Sequence, residues 1–129
     1  MNVLDEDIAS SQRELLRARK IRFRKIGVDI GRLGMKDREQ IIPLLHTLRR
    51  PTFFTQDHGF YHPALRHPDY CLVYLDVAFK EAANFIYRFL RHQAFRTEAQ
   101  RMGKVIRIRH SGLTYWQVSD EKERVVSWQ

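Results

Sequence analysis

Short apolar stretches alternate along this chain with longer segments in which apolar residues recur at helical spacing. The short stretches are typical of β-strands, and two of them alternate between apolar and polar residues with period two. The predicted strands are residues 1–4, 21–26, 51–55, 71–75, 104–109 and 113–118. A Ser-Gly turn joins the last two, so they are predicted to form a C-terminal hairpin.

Three further segments predict helices. Ser11 and Glu14 have the spacing of a capping box, which predicts a helix that starts at Ser11. Asp37 starts a second helical stretch, in which Pro43 removes a backbone donor and predicts a kink or a late start. The third stretch, residues 77–96, carries aromatic and aliphatic residues at helical spacing.

This order of elements predicts an α/β fold with a mainly parallel, doubly wound sheet over residues 1–118 and a charged tail over residues 119–129. Ligands of such sheets bind outside the carboxyl ends of the strands, where the strand order reverses. With a strand order of 2-1-3-4-5, strands one and three flank that point. Asp5 directly follows the first strand and Asp57 closely follows the third. We therefore expect their carboxylates to face one another across the crevice.

The charge balance points to an anionic partner. Lys and Arg total 23 against 15 Asp and Glu, which gives a net charge of +8 and a pI near 10.1. Nucleic acid is the commonest partner of so basic a domain. No uncharged apolar run approaches the roughly 18 residues of a membrane-spanning helix, and the acidic residues 1–8 are unlike a signal peptide. Cys71 is the single cysteine, which suggests a reducing compartment. We therefore expect a cytoplasmic protein without a membrane partner.

Acidic residues at two strand ends stand out in so basic a chain. Carboxylates that lie within a few Å repel one another, and one of them takes up a proton unless a cation compensates their charge. Oxygen ligands favour Mg²⁺ or Mn²⁺. Such ions activate water and neutralise the charge that develops on a phosphate during hydrolysis, while Arg and Lys hold the nucleic-acid backbone. The pattern therefore predicts a Mg²⁺ or Mn²⁺ site at Asp5 and Asp57.

Three motifs carry a resemblance to a known family. Residues 3–8 end an apolar strand with Asp-Glu-Asp, residues 34–41 combine a glycine loop with Asp-x-Glu at a helix start, and residues 55–60 are Thr-Gln-Asp-His-Gly-Phe. In this order they resemble the short PIN-like nucleases, which are relatives of the VapC-type toxins. The resemblance covers about residues 1–118 and implies a three-layer PIN-like sandwich with metal-dependent endoribonuclease activity. It also implies the toxin of a toxin–antitoxin pair, with RNA as substrate, an antitoxin protein as partner and a homodimer as assembly.

The resemblance also assigns residues to the site. Asp5, Asp37 and Asp57 match the catalytic acids that bind Mg²⁺ or Mn²⁺. Supporting positions in the same motifs are Glu6, Asp7, Glu39 and Thr55. Four arginines are candidates for contact with the RNA backbone: Arg13, Arg17, Arg107 and Arg109. Many PIN domains have a further acid two residues after the third-strand Asp, where this chain has Gly59.

Simpler roles exist for the same residues. Asp5 and Asp57 fit turns that follow strands. Asp37 fits a helix cap because Gln40 follows three residues later, and Asp76 fits the cap of the third helix. Three loop histidines lack the spacing of a zinc finger and fit a solvated loop: His58, His62 and His67.

Two other functions remain open. A receiver domain that is phosphorylated at Asp57 has this length and these acids, but it needs a Thr or Ser after strand four and a Lys at the end of strand five. Here strand four is followed by Asp76, and Lys104 begins strand five. A non-catalytic basic RNA-binding module explains the charge and leaves the acids without a role.

Overall fold

The first five strands of the described chain run parallel to one another. The last two strands each pair antiparallel with the strand before them. In the computed structural model, which describes residues 1–35 and 37–129, the strand order is β2-β1-β3-β4-β5-β6-β7. The strands are β1 (Asn2–Leu4), β2 (Arg24–Lys25), β3 (Thr52–Thr55), β4 (Cys71–Leu75), β5 (Lys104–Arg109), β6 (Gly112–Gln117) and β7 (Arg124–Val126). The predicted α/β class, the order 2-1-3-4-5 and the hairpin of β5 and β6 are confirmed. The edge strand β2 is shorter than the predicted 21–26, since only two of its residues pair with β1.

Among the described residues, four α-helices accompany the sheet: α1 (Ser10–Ala18), α2 (Arg38–His46), α3 (Ala82–Arg91) and α4 (Glu98–Arg101). Asp37 caps α2, because its Oδ1 accepts a hydrogen bond from the Gln40 N–H at 3.2 Å. The capping box predicted at Ser11 is wrong: α1 begins one residue earlier, and Ala9 occupies the N-cap position. Within the described residues, none of these helices has the length and apolar surface that crossing a bilayer requires.

The third helix is shorter than the predicted 77–96. Residues 79–81 form a separate 3₁₀ turn, and α3 ends at Arg91. The chain then turns at His92, whose ring accepts a hydrogen bond from the backbone two residues later. Phe95 therefore lies outside the helix, yet it stacks on Phe89 with ring centroids 5.1 Å apart. The apolar spacing correctly predicted the buried residues of α3, but Phe79 is 68% exposed and the helix is shorter than the spacing indicated.

Helices cover both faces of the sheet. Consecutive residues of a strand point to opposite faces, so Val3 and Phe53 enter one apolar core while Leu4 and Phe54 enter the other. The Val3 core is closed by apolar residues of α2, and the Leu4 core by those of α1 and α3. All four residues of β3 and four of the five in β4 are buried. This central position explains why β4 is almost entirely apolar, whereas β3 buries Thr52 and Thr55 beside its two phenylalanines.

Residues 119–129, predicted to be a charged tail, contain the edge strand β7. This strand pairs with β6 in antiparallel register. Asp120 accepts hydrogen bonds from the Arg124 guanidinium at 2.8 and 2.9 Å, and the Trp128 indole donates to the Arg109 carbonyl at 2.8 Å. The prediction of a frayed tail is therefore wrong, because several of its polar groups bond to one another and to the sheet.

Candidate active site at the carboxyl edge of the sheet

The acids of the first and third strands meet at one edge of the sheet. Strands β1 and β3 are parallel neighbours in which Leu4 pairs with Phe54, and the Asp5 N–H donates to the Phe54 carbonyl at 3.0 Å. Asp5 and Thr55 therefore emerge side by side where the strand order reverses. A cavity of about 360 Å³ opens there, and the described residues that line it are all acidic: Asp5, Glu6, Asp7 and Asp57.

The hydroxyl of Thr55 connects three of these acids. Its oxygen lies 2.7 Å from Asp5 Oδ2 and 3.3 Å from Asp7 Oδ2, and it accepts the Asp57 N–H at 3.0 Å. A hydroxyl carries a single proton, so it can donate to only one of the two carboxylates at a time. With both acids ionised, the site has more negative charge than its own donors balance.

Asp5 is the buried member of the cluster, at 4% exposure. Both of its oxygens accept hydrogen bonds, Oδ1 from the Glu6 N–H at 2.8 Å and Oδ2 from Thr55. Burial raises the pKa of Asp5 from 3.8 to about 7, and the nearby charges of Asp7 and Asp57 act in the same direction. The hydrogen bonds from Thr55 and Glu6 oppose this rise but do not cancel it.

Asp7 and Asp57 present free oxygens to the cavity. Desolvation of the Asp7 carboxylate raises its pKa, and the charge of Asp57 adds to the rise, although the Gln56 N–H donates to Asp7 Oδ2 at 3.0 Å. Asp57 Oδ1 accepts the Gly59 N–H at 2.9 Å, which is the turn geometry expected of an Asp at this place. Among the described residues, Asp7 Oδ1 and Asp57 Oδ2 take part in no hydrogen bond. These two oxygens are available to a ligand.

Glu6 ties a glycine loop to the site. Its Oε1 accepts the Gly34 N–H at 2.7 Å. A Cβ at Gly27, where φ is +89°, would lie 2.8 Å from the same oxygen. The loop therefore closes over the carboxylate because Gly27 has no side chain. Glu6 is thus held beside the cavity by residues that follow it by more than twenty positions.

Asp37 and Glu39 are not brought into the acidic cavity. Asp37 lines a neighbouring cavity of about 530 Å³ together with Asp57, Tyr61 and residues of the loop after β3. Asp57 thus forms the wall between the two cavities. Glu39 is exposed on α2 and lines neither of them. Gly59, which stands where a further acid is common in PIN domains, supplies the N–H that orients Asp57.

Three of the four candidate arginines lie at the same edge of the sheet as the acids. Arg13 donates to the Ile8 carbonyl at 2.8 Å and so braces the turn that carries Asp7. Arg107 and Arg109 lie at the end of β5, where the Arg109 side chain is 46% exposed. Arg17 is elsewhere, since it lines a cavity at the opposite end of the strands.

Asp76 does not cap the third helix, contrary to expectation. Arg107 on the adjacent strand β5 donates to its Oδ2 from two nitrogens, at 3.0 and 2.6 Å. This bidentate contact holds the pKa of Asp76 below its ordinary value. The N-cap position of the following 3₁₀ turn belongs to Ala78, whose N–H donates to Glu81. Asp76 follows β4, and β5 is its parallel neighbour, so Arg107 lies within reach of the Asp76 carboxylate and takes it from the helix cap.

Sequence reasoning missed Gln56, which lies between two site residues. Its backbone N–H donates to Asp7, and its side-chain Nε2 donates to the Val77 carbonyl at 3.0 Å. Its Oε1 is buried without a hydrogen-bond partner in the described part of the chain. A buried acceptor without a donor is unusual. The residue type gave no signal of this role, because glutamine at a strand end is more often solvated.

The acidic residues fit a hard cation held with water. All-oxygen ligands suit Mg²⁺ or Mn²⁺, and the part of the chain that the structure describes places no basic side chain in the lining to compete with a cation. The carboxylate oxygens of the acidic cavity lie farther apart than the possible ligand atoms of a second cluster, which contains two histidines. Among the described residues, the set of three whose ligand atoms all lie within 4.8 Å is His46, His67 and Asp69. An ion in the acidic cavity would therefore retain several waters, as Mg²⁺ commonly does.

The histidines are distributed differently from the sequence-based grouping. His58 is a solvated loop residue, with 88% of its side chain exposed. His67 instead contacts His46 at the end of α2, with ring centroids 4.4 Å apart and perpendicular planes. His46 gave no signal in the sequence because it lies outside the histidine-rich loop, 21 residues before His67.

Comparison with known proteins does not assign the chain to a family. No protein-family model matches the sequence, no curated protein matches it, and no solved structure matches the fold. The function must therefore be argued from the geometry of the acidic cavity.

Proposed function

We propose that the protein is a metal-dependent ribonuclease that hydrolyses phosphodiester bonds at the acidic cavity. The observation that carries this proposal is the cluster of Asp5, Asp7 and Asp57 around one Thr55 hydroxyl, in a chain of net charge +8. A cavity in which several carboxylates lie close together is unfavourable in the absence of a cation. A basic chain has no need of such a cavity for binding an anion alone.

The residues divide into those that bind the ion and those that position them. Asp7 and Asp57 would supply the free oxygens to Mg²⁺ or Mn²⁺, with Glu6 at the rim of the cavity. Asp5 would orient the group through Thr55 and contribute its negative charge once its proton is lost. The bound ion supplies an activated water and a positive charge beside the scissile phosphate. Asp37 would contribute its carboxylate from the neighbouring cavity, which it shares with Asp57.

The protein's cations would hold the substrate. Arg109 is half exposed at the carboxyl edge of β5, and Arg107 is fixed beside it by Asp76. Arginines at this edge can contact phosphates that flank the cleaved bond. The motif resemblance described above adds further parts to the proposal. These are RNA as the substrate, a PIN-like form of the sandwich, a cytoplasmic location, a homodimer and an antitoxin partner.

A cleavage assay tests the proposal. The purified chain is incubated with labelled RNA and Mn²⁺, with and without EDTA, and compared with the Asp57→Asn and Asp5→Asn variants. We expect cleavage that EDTA stops, a loss of at least about a hundredfold in either variant, and unchanged RNA binding. Glu121→Gln is the matched control, because Glu121 is exposed and far from the cavity in the chain.

Two outcomes would remove the proposal. One is the absence of cleavage by the wild-type chain with Mn²⁺; the other is equal cleavage by Asp57→Asn and wild type. Transfer of phosphate from acetyl phosphate to Asp57 would instead support the receiver function. EDTA-insensitive RNA binding without any cleavage would support a plain RNA-binding module.

A further inference from the structure

A second cavity lies at the opposite end of the strands from the acids. It has a volume of about 820 Å³, and its lining includes Asn2 at the start of β1. Cationic side chains dominate its walls: Arg17, Lys20, Arg22, Arg24 and Arg101. Two acids, Asp29 and Glu98, also line it, so the cations outnumber them. A ligand in this cavity would meet a positive potential.

Arg101 is the buried cation of this cavity. It is 6% exposed, and its guanidinium is held in place by hydrogen bonds to Thr52 Oγ1 at 2.9 Å and to the carbonyls of Phe95 and Arg96 at 2.9 and 3.2 Å. These bonds use Nε and Nη1. Among the described residues, Nη2 donates to no acceptor and no carboxylate lies within 4.0 Å of the guanidinium. A rigid, buried guanidinium without a direct ion pair is suited to bind an oxyanion, although Glu98 also acts on its charge.

Asn2 fixes one wall of the cavity. Its Nδ2 donates to the Arg22 carbonyl at 3.0 Å, whereas its Oδ1 has no partner in the described residues and is buried from solvent. Asn2 therefore positions the segment that carries Arg22 and does not itself contact a ligand.

An aromatic surface completes the cavity. Phe23 is half buried in the lining, and the Arg17 guanidinium lies 5.1 Å from the centroid of its ring. Arg22 and Arg24, which alternate with Phe23 along the chain, are exposed. Alternation of cations with an aromatic ring is the arrangement on which nucleotides bind, because the phosphate meets charge and the base meets a flat apolar surface.

We propose that this cavity binds a nucleoside monophosphate group, free or at the end of an oligonucleotide. Its phosphate meets Arg101 with Arg22 and Arg24, and its base lies against Phe23. A volume of about 820 Å³ lies within the range of roughly 300–1,000 Å³ that small-molecule sites occupy. The site is separate from the acidic cavity and does not depend on hydrolysis there.

Calorimetric titration tests the site with AMP, adenosine and inorganic phosphate as ligands. The full chain is used in EDTA, so that the acidic cavity holds no metal. We expect saturable binding of AMP at one site, at least about tenfold tighter than either adenosine or phosphate, because the two halves of the ligand act together. Asp57→Asn should bind AMP as wild type does. That result would separate this site from the proposed nuclease site.

The variants address the charges and the fold separately. Arg22→Glu combined with Arg24→Glu changes exposed residues, so the fold should persist while AMP affinity falls at least about tenfold. Arg49→Glu combined with Lys122→Glu is the matched control, since both residues are exposed and outside this cavity. Arg101→Lys keeps the charge but loses the forked donor geometry, and it should also weaken AMP binding, with its melting curve recorded to verify folding.

The same titration can overturn the proposal. It fails if AMP shows no saturable binding, if the Arg22/Arg24 double variant binds as wild type does, or if the control double variant loses as much affinity. It also fails if phosphate alone binds as tightly as AMP. An oligoribonucleotide can be added to compete with AMP. Competition by the 5′-phosphorylated form but not by the 5′-hydroxyl form would assign the site to an RNA end. Competition by neither form would assign it to the free nucleotide.

Discussion

The buried carboxyl of Asp5 makes the stability of the protein depend on pH. The pKa of Asp5 rises from 3.8 to about 7 on folding, mainly because of burial. Between these two pH values the folded protein keeps a proton that the unfolded chain has lost. Since the folded state then binds more protons, the free energy of unfolding falls as pH rises, by about 1.4 kcal/mol per pH unit. Over the whole interval the loss amounts to about 4 kcal/mol.

Asp5→Asn removes this titration. The amide of asparagine can still accept from the Glu6 N–H and can bond to the Thr55 hydroxyl, which are the contacts of Asp5 in the native structure. We therefore expect the variant to have a nearly wild-type stability at pH 5 and to be more stable than wild type at pH 8 in EDTA. Titration of the six histidines is common to both proteins and cancels in the difference.

Urea denaturation at pH 5, 6, 7 and 8 measures that difference directly. A bound divalent cation would compensate the ionised acids, so Mn²⁺ should restore the stability of wild type at pH 8 more than that of Asp5→Asn. The reasoning is refuted if the difference in unfolding free energy between the two proteins is the same at pH 5 and pH 8. A folded-state carboxyl with an ordinary pKa would give that result.

Two further predictions concern the loop over Glu6 and the last strand. Gly27 and Gly34 have φ of +89° and +87°, but a Cβ meets Glu6 Oε1 at 2.8 Å at Gly27 and nothing within 4 Å at Gly34. In urea melts, Gly34→Ala should lower the free energy of unfolding by about 1 kcal/mol because of its positive φ. Gly27→Ala should lower it further and should also reduce RNA cleavage, because its Cβ displaces Glu6. Equal losses of stability in the two variants would contradict the contact with Glu6. A chain that ends at residue 118 lacks β7 and the bonded Trp128, and it should lose about 2 kcal/mol. An unchanged melting temperature would show that these residues are a dispensable tail.

Local pattern was a good guide where the structure follows general rules of parallel sheets. The apolar stretch of β4 predicted a covered central strand, and its bounds Cys71–Leu75 agree with the prediction. The meeting of Asp5 and Asp57 at one cavity followed from strand order, because carboxyl ends of neighbouring parallel strands share an edge. Asp37 as a helix cap followed from its spacing to Gln40.

Local pattern failed where one residue's role depends on a distant partner. Asp76 fits a helix cap in sequence, yet it binds Arg107 on the next strand, 31 residues away. Residues 119–129 are strongly charged, yet they supply an edge strand because β6 offers an unpaired side. His67 meets His46 only because the loop before β4 returns to the end of α2.

The sequence by itself determined the α/β class, the positions of the acids after two strands and the basic character of the chain. These properties depend on residue type and short spacing, which local backbone preferences express directly. Only the tertiary structure decided that Thr55 joins three acids, that Asp5 is buried enough to hold a proton near pH 7, and that Arg101 is buried and held by Thr52. Burial and charge compensation are sums over neighbours from the whole chain, and no short window of sequence contains those neighbours.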